Sequence, residues 1–265
     1  MSAPSSISSR ERWIIAAALA AIAAVAWIGM IHEARSLDMS GMSECLGMQM
    51  DGNAGAGLSA NMLLPLFLMW AAMMLAMMLP SATPMILTFA AVSRNRRRQA
   101  RPYVPVTIFV AGYVAIWTAF SVLAAIAQWF LHREALLSPA MASSSAWLGG
   151  ILLLAAGVFQ FTPLKHACLT QCRAPFDFIM TRWREGSLGA FRMGVEHGLF
   201  CTGCCWALMG LLFVAGVMNI FWIAALSLIV GLEKLLPRGL WLSSATGVIF
   251  AAWGVWLIAS SFGLR

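Results

Sequence analysis

Seven long apolar runs dominate the sequence and limit what the chain can fold into. A helix needs about 20 mostly apolar residues to cross the hydrocarbon core of a bilayer. The chain is 61% hydrophobic and 10% charged over 265 residues, which is far more apolar than a typical water-soluble domain. We therefore predict an all-α polytopic helical membrane bundle of about seven transmembrane helices. The predicted spans are Trp13–Ile31, Ala60–Val92, Tyr103–Leu131, Ala146–Leu164, Ala190–Ala215, Met218–Leu232 and Leu240–Phe262.

The organisation of the chain follows from these runs. Residues 1–12 are predicted to form a cytoplasmic N-terminus, residues 13–263 a single transmembrane domain, and residues 32–59 a Met-rich extracytoplasmic loop. The first run is longer than the apolar core of a signal peptide, so we expect an uncleaved anchor. The second run is too long for one straight crossing, and Pro80 and Pro84 predict a bend or a broken end there.

Basic residues are distributed unevenly between the loops, and this asymmetry orients the bundle. With a cytoplasmic N-terminus, all but three of the 17 basic residues fall on the cytoplasmic side, the exceptions being Arg35, Arg133 and Arg265. The prediction is N-in and C-out. The arginine-rich run RNRRRQAR is interpreted as a topology signal in contact with lipid headgroups. The bilayer is therefore an expected partner, and nucleic acid is not.

The stretch EHGLFCTGCCWALM, residues 196–209, places a carboxylate, an imidazole and three thiols inside the fifth predicted span. On a helix the spacing i, i+4, i+7, i+8 puts the imidazole and the thiols on one stripe, formed by His197, Cys201, Cys204 and Cys205. Glu196 points away from that stripe. Ionisable residues at such depth are costly and usually functional, so we predict a metal site that includes Glu196. The alternative is a thiol-rich packing face.

A second polar group, PLKHACLTQCRAPF, follows the fourth predicted span and holds His166, Cys168 and Cys172. The pattern His-x-Cys-x₃-Cys is an acceptable ligand spacing for a metal. Its predicted position is on the same side as His197, so both groups belong either to one site or to two stations along a transfer path. The alternative is an ordinary basic cytoplasmic loop whose thiols are incidental.

Methionine provides a third signal, with 18 residues in the chain. In the predicted outer loop, Met42, Cys45 and Met48 offer three soft sulfur ligands at a spacing of three. Soft donors of this kind select Cu(I) over hard cations. The alternative is a loop that folds its methionines onto the membrane surface. A methionine stripe in the second span is more typical of flexible packing.

Sulfur ligands outside, within and inside the membrane are what a route or reservoir for a soft metal needs. Copper, as Cu(I), is the first choice for the ion. Zinc is second, because one His with three Cys is an ordinary tetrahedral zinc shell. We expect a soft-metal-binding membrane protein in copper uptake, delivery or storage, with a metal-donor or metal-acceptor protein as a partner.

Four blocks of the sequence resemble a bacterial family of integral membrane proteins of unknown function that are predicted only to bind metal. The blocks are MMLAMMLPSATPM, FTPLKHACLTQCRAPF, GVEHGLFCTGCCWALM and GLEKLLPRG. The resemblance covers about Met62 to Pro237 and implies a multi-pass protein of the bacterial cytoplasmic (inner) membrane. It implies no reaction. Its signature positions are Glu196, His197, Cys201, Cys204, Cys205, Cys168, Cys172, Glu233 and Lys234. We expect Glu233 and Lys234 to pair with each other or with Glu196.

Two other functions stay open at the level of sequence. Cys201-x-x-Cys204 has the spacing of a redox dithiol, and the pair Cys168/Cys172 offers a partner dithiol, which together describe a membrane thiol/quinone oxidoreductase. A copper-dependent membrane enzyme is the other alternative, although the sequence carries no nucleophile triad, phosphate-binding loop or nucleotide fingerprint.

Overall fold

The structure is a computed structural model that describes residues 9–40, 63–98, 104–134, 146–236 and 239–261. Within these residues every regular element is a helix, which confirms the all-α prediction. In chain order the described helices are α1 (Ser9–Ser40), α2 (Leu63–Arg98), α3 (Val106–Arg133), α4 (Ala146–Phe159), α5 (Pro163–Arg173), α6 (Pro175–Thr181), α7 (Gly186–Gly210), α8 (Leu212–Ala215), α9 (Ile220–Leu235) and α10 (Gly239–Ser261).

Five helical stretches in the described part of the chain are long and apolar enough to cross a membrane: Arg10–His32, Leu63–Arg97, Val106–Arg133, Gly186–Val214 and Gly239–Ser261. A sixth is added if α4 and α5, which are bent by 64°, form one broken span. Helix α9 has only 16 residues, fewer than a straight crossing requires. The count of seven spans and their orientation therefore stay predictions.

The prolines of α2 do not break that helix. It runs without interruption through Pro80 and Pro84. Nearby hydroxyls donate to backbone carbonyls along this stretch, those of Ser81, Thr83 and Thr88. Side-chain bonds of this kind are one way in which a helix accommodates an internal proline.

The predicted span Ala146–Leu164 is the one that breaks, so the prediction of a single helix there was wrong. Helix α4 ends at Phe159, and α5 starts afresh at Pro163. The Thr162 side chain accepts a hydrogen bond from the Lys165 backbone N–H and caps the new helix. Proline is well tolerated in the first turn, where its missing N–H would have no partner. Local capping chemistry therefore places the bend.

Glycines allow two pairs of helices to approach very closely. A Cβ at Gly194 of α7 would clash with the Phe109 carbonyl of α3, and one at Gly112 would clash with the Phe191 carbonyl of α7. Helices α4 and α10 make a similar contact, since a Cβ at Gly254 would lie 2.7 Å from the Gly150 carbonyl oxygen. Small residues give this backbone-to-backbone packing in helical bundles. It holds α7 firmly against α3.

Several helix ends meet at one end of the bundle and carry its arginines. An ion pair joins Arg94 at the end of α2 to Glu11 at the start of α1. Another joins Arg96 to Glu185, which precedes α7. The start of α3 lies nearby, because the Ser93 hydroxyl donates to the Val104 carbonyl at 2.9 Å. The helices that start or end here therefore share one basic face.

Candidate metal centre

Helix α7 buries the whole stripe of imidazole and thiols. His197 is 3% exposed, Cys201 and Cys204 are 1% exposed, and Cys205 is fully buried. The Cys204 and Cys205 thiols lie 3.0 Å and 2.9 Å from the Cys201 carbonyl oxygen, in the geometry of hydrogen-bond donors. All the cysteines described by the structure are free thiols. These sulfurs face the interior of the bundle.

Polar groups from two other helices lie against the Cys201 sulfur. The Lys234 ammonium of α9 lies 3.0 Å from it, and the Tyr113 hydroxyl of α3 lies 3.2 Å from it. Lys234 also donates to the Ser81 hydroxyl at 3.3 Å, and the Tyr113 hydroxyl donates to the Met78 carbonyl at 3.2 Å. A positive charge against a sulfur complements a thiolate, the form in which cysteine binds metal.

Helix α5 brings a fourth thiol to the cluster. The Cys172 side chain interacts with those of Cys201 and Cys204. Close approach of α5 depends on Gly203, because a Cβ there would lie 2.8 Å from the Cys168 sulfur. We call Cys172, Cys201, Cys204 and Cys205 the thiol cluster. It draws on two helices, and Cys172 is its only half-buried member.

The imidazole of His197 is held by aromatic rings and by nothing polar. It stacks on Tyr113 with the ring centroids 5.4 Å apart, and Phe178 meets it edge-on at 5.7 Å. Neither ring nitrogen has a hydrogen-bond partner. A buried polar atom without a partner costs about 1–3 kcal/mol, and such groups in native proteins call for an explanation. A neutral imidazole nitrogen of this kind is able to bind a metal ion.

Glu233 and Lys165 form a second buried cluster beside the first. The Lys165 ammonium lies 2.7 Å from the Glu233 carboxylate, and both side chains are almost completely buried. The Gln160 amide donates to Glu233 at 3.3 Å and to the Thr246 hydroxyl at 3.0 Å, and its oxygen accepts hydrogen bonds from Lys165 and Ser243. We call these five residues the ionic network. Glu233 and Lys234 do not pair with each other or with Glu196, because their side chains leave α9 toward different helices.

Of the other predicted ligands, Glu196 faces two arginines and not the thiols. Glu196 accepts hydrogen bonds from Arg184 at 2.9 Å and from Arg182 at 3.3 Å, at the basic end of the bundle. His166 lies on α5, and its Nε2 atom is buried without a partner. The predicted outer ligands Met42, Cys45 and Met48 fall outside the described residues.

The described residues do not form a zinc shell. Among the residues that the structure describes, no group of three or more His, Cys, Asp or Glu side chains is arranged to hold a metal ion. A tetrahedral zinc shell, which needs four such ligands at fixed distances, is therefore not supported. Thiolates select Cu(I) by their softness, and this ion accepts fewer ligands than zinc does.

Sequence reasoning missed several contributors to these clusters, among them Tyr113 and Gln160. Tyr113 touches both Cys201 and His197, and Gln160 lies at the centre of the ionic network. Tyr113 is one of only two tyrosines in the chain. Hydroxyl and amide groups within long apolar runs were the available signal, because buried polar groups need partners.

One comparison with known proteins gives a match. The model of a family described as copper chaperone, PpoB2, matches residues 67–257, which is well over half of the chain. The matched region starts within α2, ends within α10, and includes both buried clusters. No curated protein and no solved structure matches the chain. The resemblance implied a metal-related family without naming the metal, and the matched family names copper.

Proposed function

The chain belongs to the copper chaperone family, and from this premise we propose that it is a membrane-embedded Cu(I) delivery protein with the thiol cluster as its cargo site. Two thiolates of the cluster would hold the ion at a time, with Cys201, Cys204 and Cys205 of α7 and Cys172 of α5 as the available ligands. Copper is the cargo in this proposal and not a resident cofactor.

The single observation that supports the proposal best is the unpartnered imidazole beside the buried thiols. His197 carries two nitrogens without hydrogen bonds, one helical turn from Cys201. A packing face would have no need of a histidine here, since an apolar ring would stack equally well and leave nothing unsatisfied. A nitrogen donor next to soft sulfurs is an ordinary companion in a copper site.

Charge supports a monovalent cargo. Two thiolates and one Cu(I) carry a net charge of minus one, which the nearby Lys234 ammonium would offset. A neutral assembly is favoured in a site removed from water, because isolated buried charges are expensive. The Lys165–Glu233 pair is already neutral and leaves Lys234 available to the thiols.

The membrane setting is part of the proposal. Five to six described stretches are apolar enough to span a bilayer. We propose the bacterial cytoplasmic membrane, with the basic end of the bundle on the cytoplasmic side as the distribution of arginines favours. Met42, Cys45 and Met48 would capture copper outside, and an acceptor protein would receive it. No part of this function requires nucleic acid.

The test is metal content after purification in mild detergent without a chelator. We expect about one copper per chain with sulfur in the X-ray absorption spectrum, lost in the Cys201→Ser/Cys204→Ser/Cys205→Ser variant. Thr202→Ala is the matched control on the same turn and should keep the copper. Unchanged copper in the triple variant, or zinc in place of copper in the wild type, contradicts the proposal. Thiol-dependent quinone reduction without bound metal would favour the oxidoreductase instead.

A further inference from the structure

The ionic network lies next to the cargo site and contains none of the expected ligands. Burial of its charged groups costs free energy, and this cost needs an explanation. Lys165 and Glu233 are buried together, and a buried ion pair is often no more stabilising than apolar residues of the same size. Pairs of this kind can instead specify one arrangement of the elements that they join. Here the joined elements are α5 and α9.

The last turn of α9 contacts both helices that carry the thiol cluster. Glu233 binds Lys165 of α5 at 2.7 Å, and the next residue, Lys234, binds Cys201 of α7 at 3.0 Å. The end of the same turn is held to α5 again, since the Arg173 guanidinium donates to the Leu236 carbonyl at 2.7 Å. Arg173 directly follows Cys172 in the chain.

Helix α5 packs against α7, but a bend of 64° separates it from α4, so a continuous helix does not fix its register on α7. Helix α7 is fixed by its glycine contacts with α3, so the three thiols on α7 have a firm support. The fourth thiol sits on α5, and its distance from α7 depends on what holds the two helices in register. Gly203 provides the space for this approach but no directional contact.

We propose that Lys165 and Glu233 are positioning residues that set the distance between Cys172 and the thiols of α7. As a role in copper binding this rests on the proposed function, whereas the geometric role does not. Glu233 holds α5 from one side of the turn, and Lys234 holds α7 from the other. The Lys165–Glu233 pair therefore keeps Cys172 of α5 close enough to join the α7 thiols in the cluster.

Cross-linking tests the distance directly and needs no copper. The starting variant keeps Cys172 and Cys201, so that the contact of Lys234 with Cys201 is preserved, and has serine at the other four cysteines. Diamide takes two electrons and two protons from these thiols, which form one S–S bond, and the rate is followed by loss of free thiol. Lys165→Met should slow this reaction by about tenfold or more, because it leaves Glu233 unpaired and removes the buried one of the two side-chain contacts that hold α5 to the end of α9.

Three further variants separate positioning from stability. Lys165→Met/Glu233→Met replaces the pair by apolar side chains and should melt near the starting variant, yet cross-link as slowly as Lys165→Met. The exchange Lys165→Glu/Glu233→Lys should recover the fast rate. Arg96→Met, which removes an ion pair far from the thiols, should leave the rate unchanged.

The outcomes are distinct for the two proposals. Equal cross-linking rates in the starting variant, Lys165→Met and the double methionine variant overturn the positioning role, even if the wild type binds copper. Slow cross-linking in both variants supports the positioning role, even if the wild type proves to bind no copper. In wild-type cysteine background, Lys165→Met should also lower the number of sulfur scatterers around copper.

Discussion

The ionic network and the thiol cluster are both buried and meet at α9, yet they differ in how completely their polar atoms are paired. In the network, the carboxylate, the ammonium and the amide of Gln160 all bond to each other or to hydroxyls. Beside the thiols, both nitrogens of His197 lack a partner. The buried polar atoms are therefore paired in the ionic network, whereas those of the imidazole beside the thiols are not.

This difference separates a structural role from a binding role. A saturated network has no capacity left for a ligand, and its removal should affect stability. A cluster of soft donors with an unpaired imidazole retains that capacity, and its removal should affect metal binding. Four substitutions test this division, two in the ionic network and two beside the thiol cluster.

Glu233→Gln should have the largest effect, on stability. It leaves the Lys165 ammonium buried without a counter-charge, which costs about 3–5 kcal/mol. The measurement is thermal unfolding in detergent. Glu185→Gln is the control, because it breaks a partly exposed ion pair with Arg96 and should cost about 0–1 kcal/mol. Equal losses in the two variants would remove the distinction between buried and exposed pairs.

Gln160→Met should have the second-largest effect and lower the free energy of unfolding by about 1–3 kcal/mol. Glu233 loses a hydrogen-bond donor and Lys165 an acceptor in a site that water does not reach. Thermal unfolding again measures it. Ser260→Ala serves as control, since that hydroxyl is exposed and bonds only to its own helix. Copper content should stay at the wild-type level, and its loss would show that the network belongs to the metal site.

His197→Phe should lower copper affinity without lowering stability, the opposite of the two network variants. The new ring keeps the stacking on Tyr113 and removes two unpaired nitrogens, so stability should hold or rise. Cu(I) affinity, measured by competition with a coloured chelator, should fall by about tenfold through loss of a ligand or its orienting neighbour. His132→Phe removes another partly unpartnered imidazole, at the far end of α3 from Tyr113, and should leave affinity unchanged. A destabilised His197→Phe protein with normal affinity would contradict the division.

Tyr113→Phe should have the smallest effect. It removes the hydroxyl beside Cys201 and should weaken Cu(I) binding by about 0.5–1 kcal/mol, the lower part of the usual net contribution of one hydrogen bond. The same chelator competition measures it. Ser121→Ala on the same helix is the control, because that hydroxyl bonds only to the Trp117 carbonyl. A loss as large as that of His197→Phe would place Tyr113 among the ligands.

Helical periodicity was sufficient to group the residues of α7. A rotation of about 100° per residue brings His197 and the three α7 thiols onto one face and turns Glu196 away from it. In the structure Glu196 faces Arg182 and Arg184. The break after α4 was also present in the sequence as Thr162 followed by Pro163, but the apolar run around it hid the signal.

Contacts between helices could not be obtained in this way. Glu233 and Lys234 were expected to pair, yet adjacent helical side chains diverge by about 100°, and each finds a partner on a different helix. That Cys172 joins the α7 thiols depends on the 64° bend and on Gly203. Such tertiary geometry leaves no periodic pattern in the sequence.

The depth at which the sulfurs are buried has a kinetic consequence. Cys201, Cys204 and Cys205 expose 1% of their surface or less, so an ion held there is shielded from any competitor in the surrounding water. Its escape would wait for the helices to part, so the rate of local opening would limit release in addition to the breaking of the metal–sulfur bonds. A carrier built in this way keeps its cargo by the slowness of its own motions, and it can hand over a tightly bound ion quickly only to a partner that loosens α5.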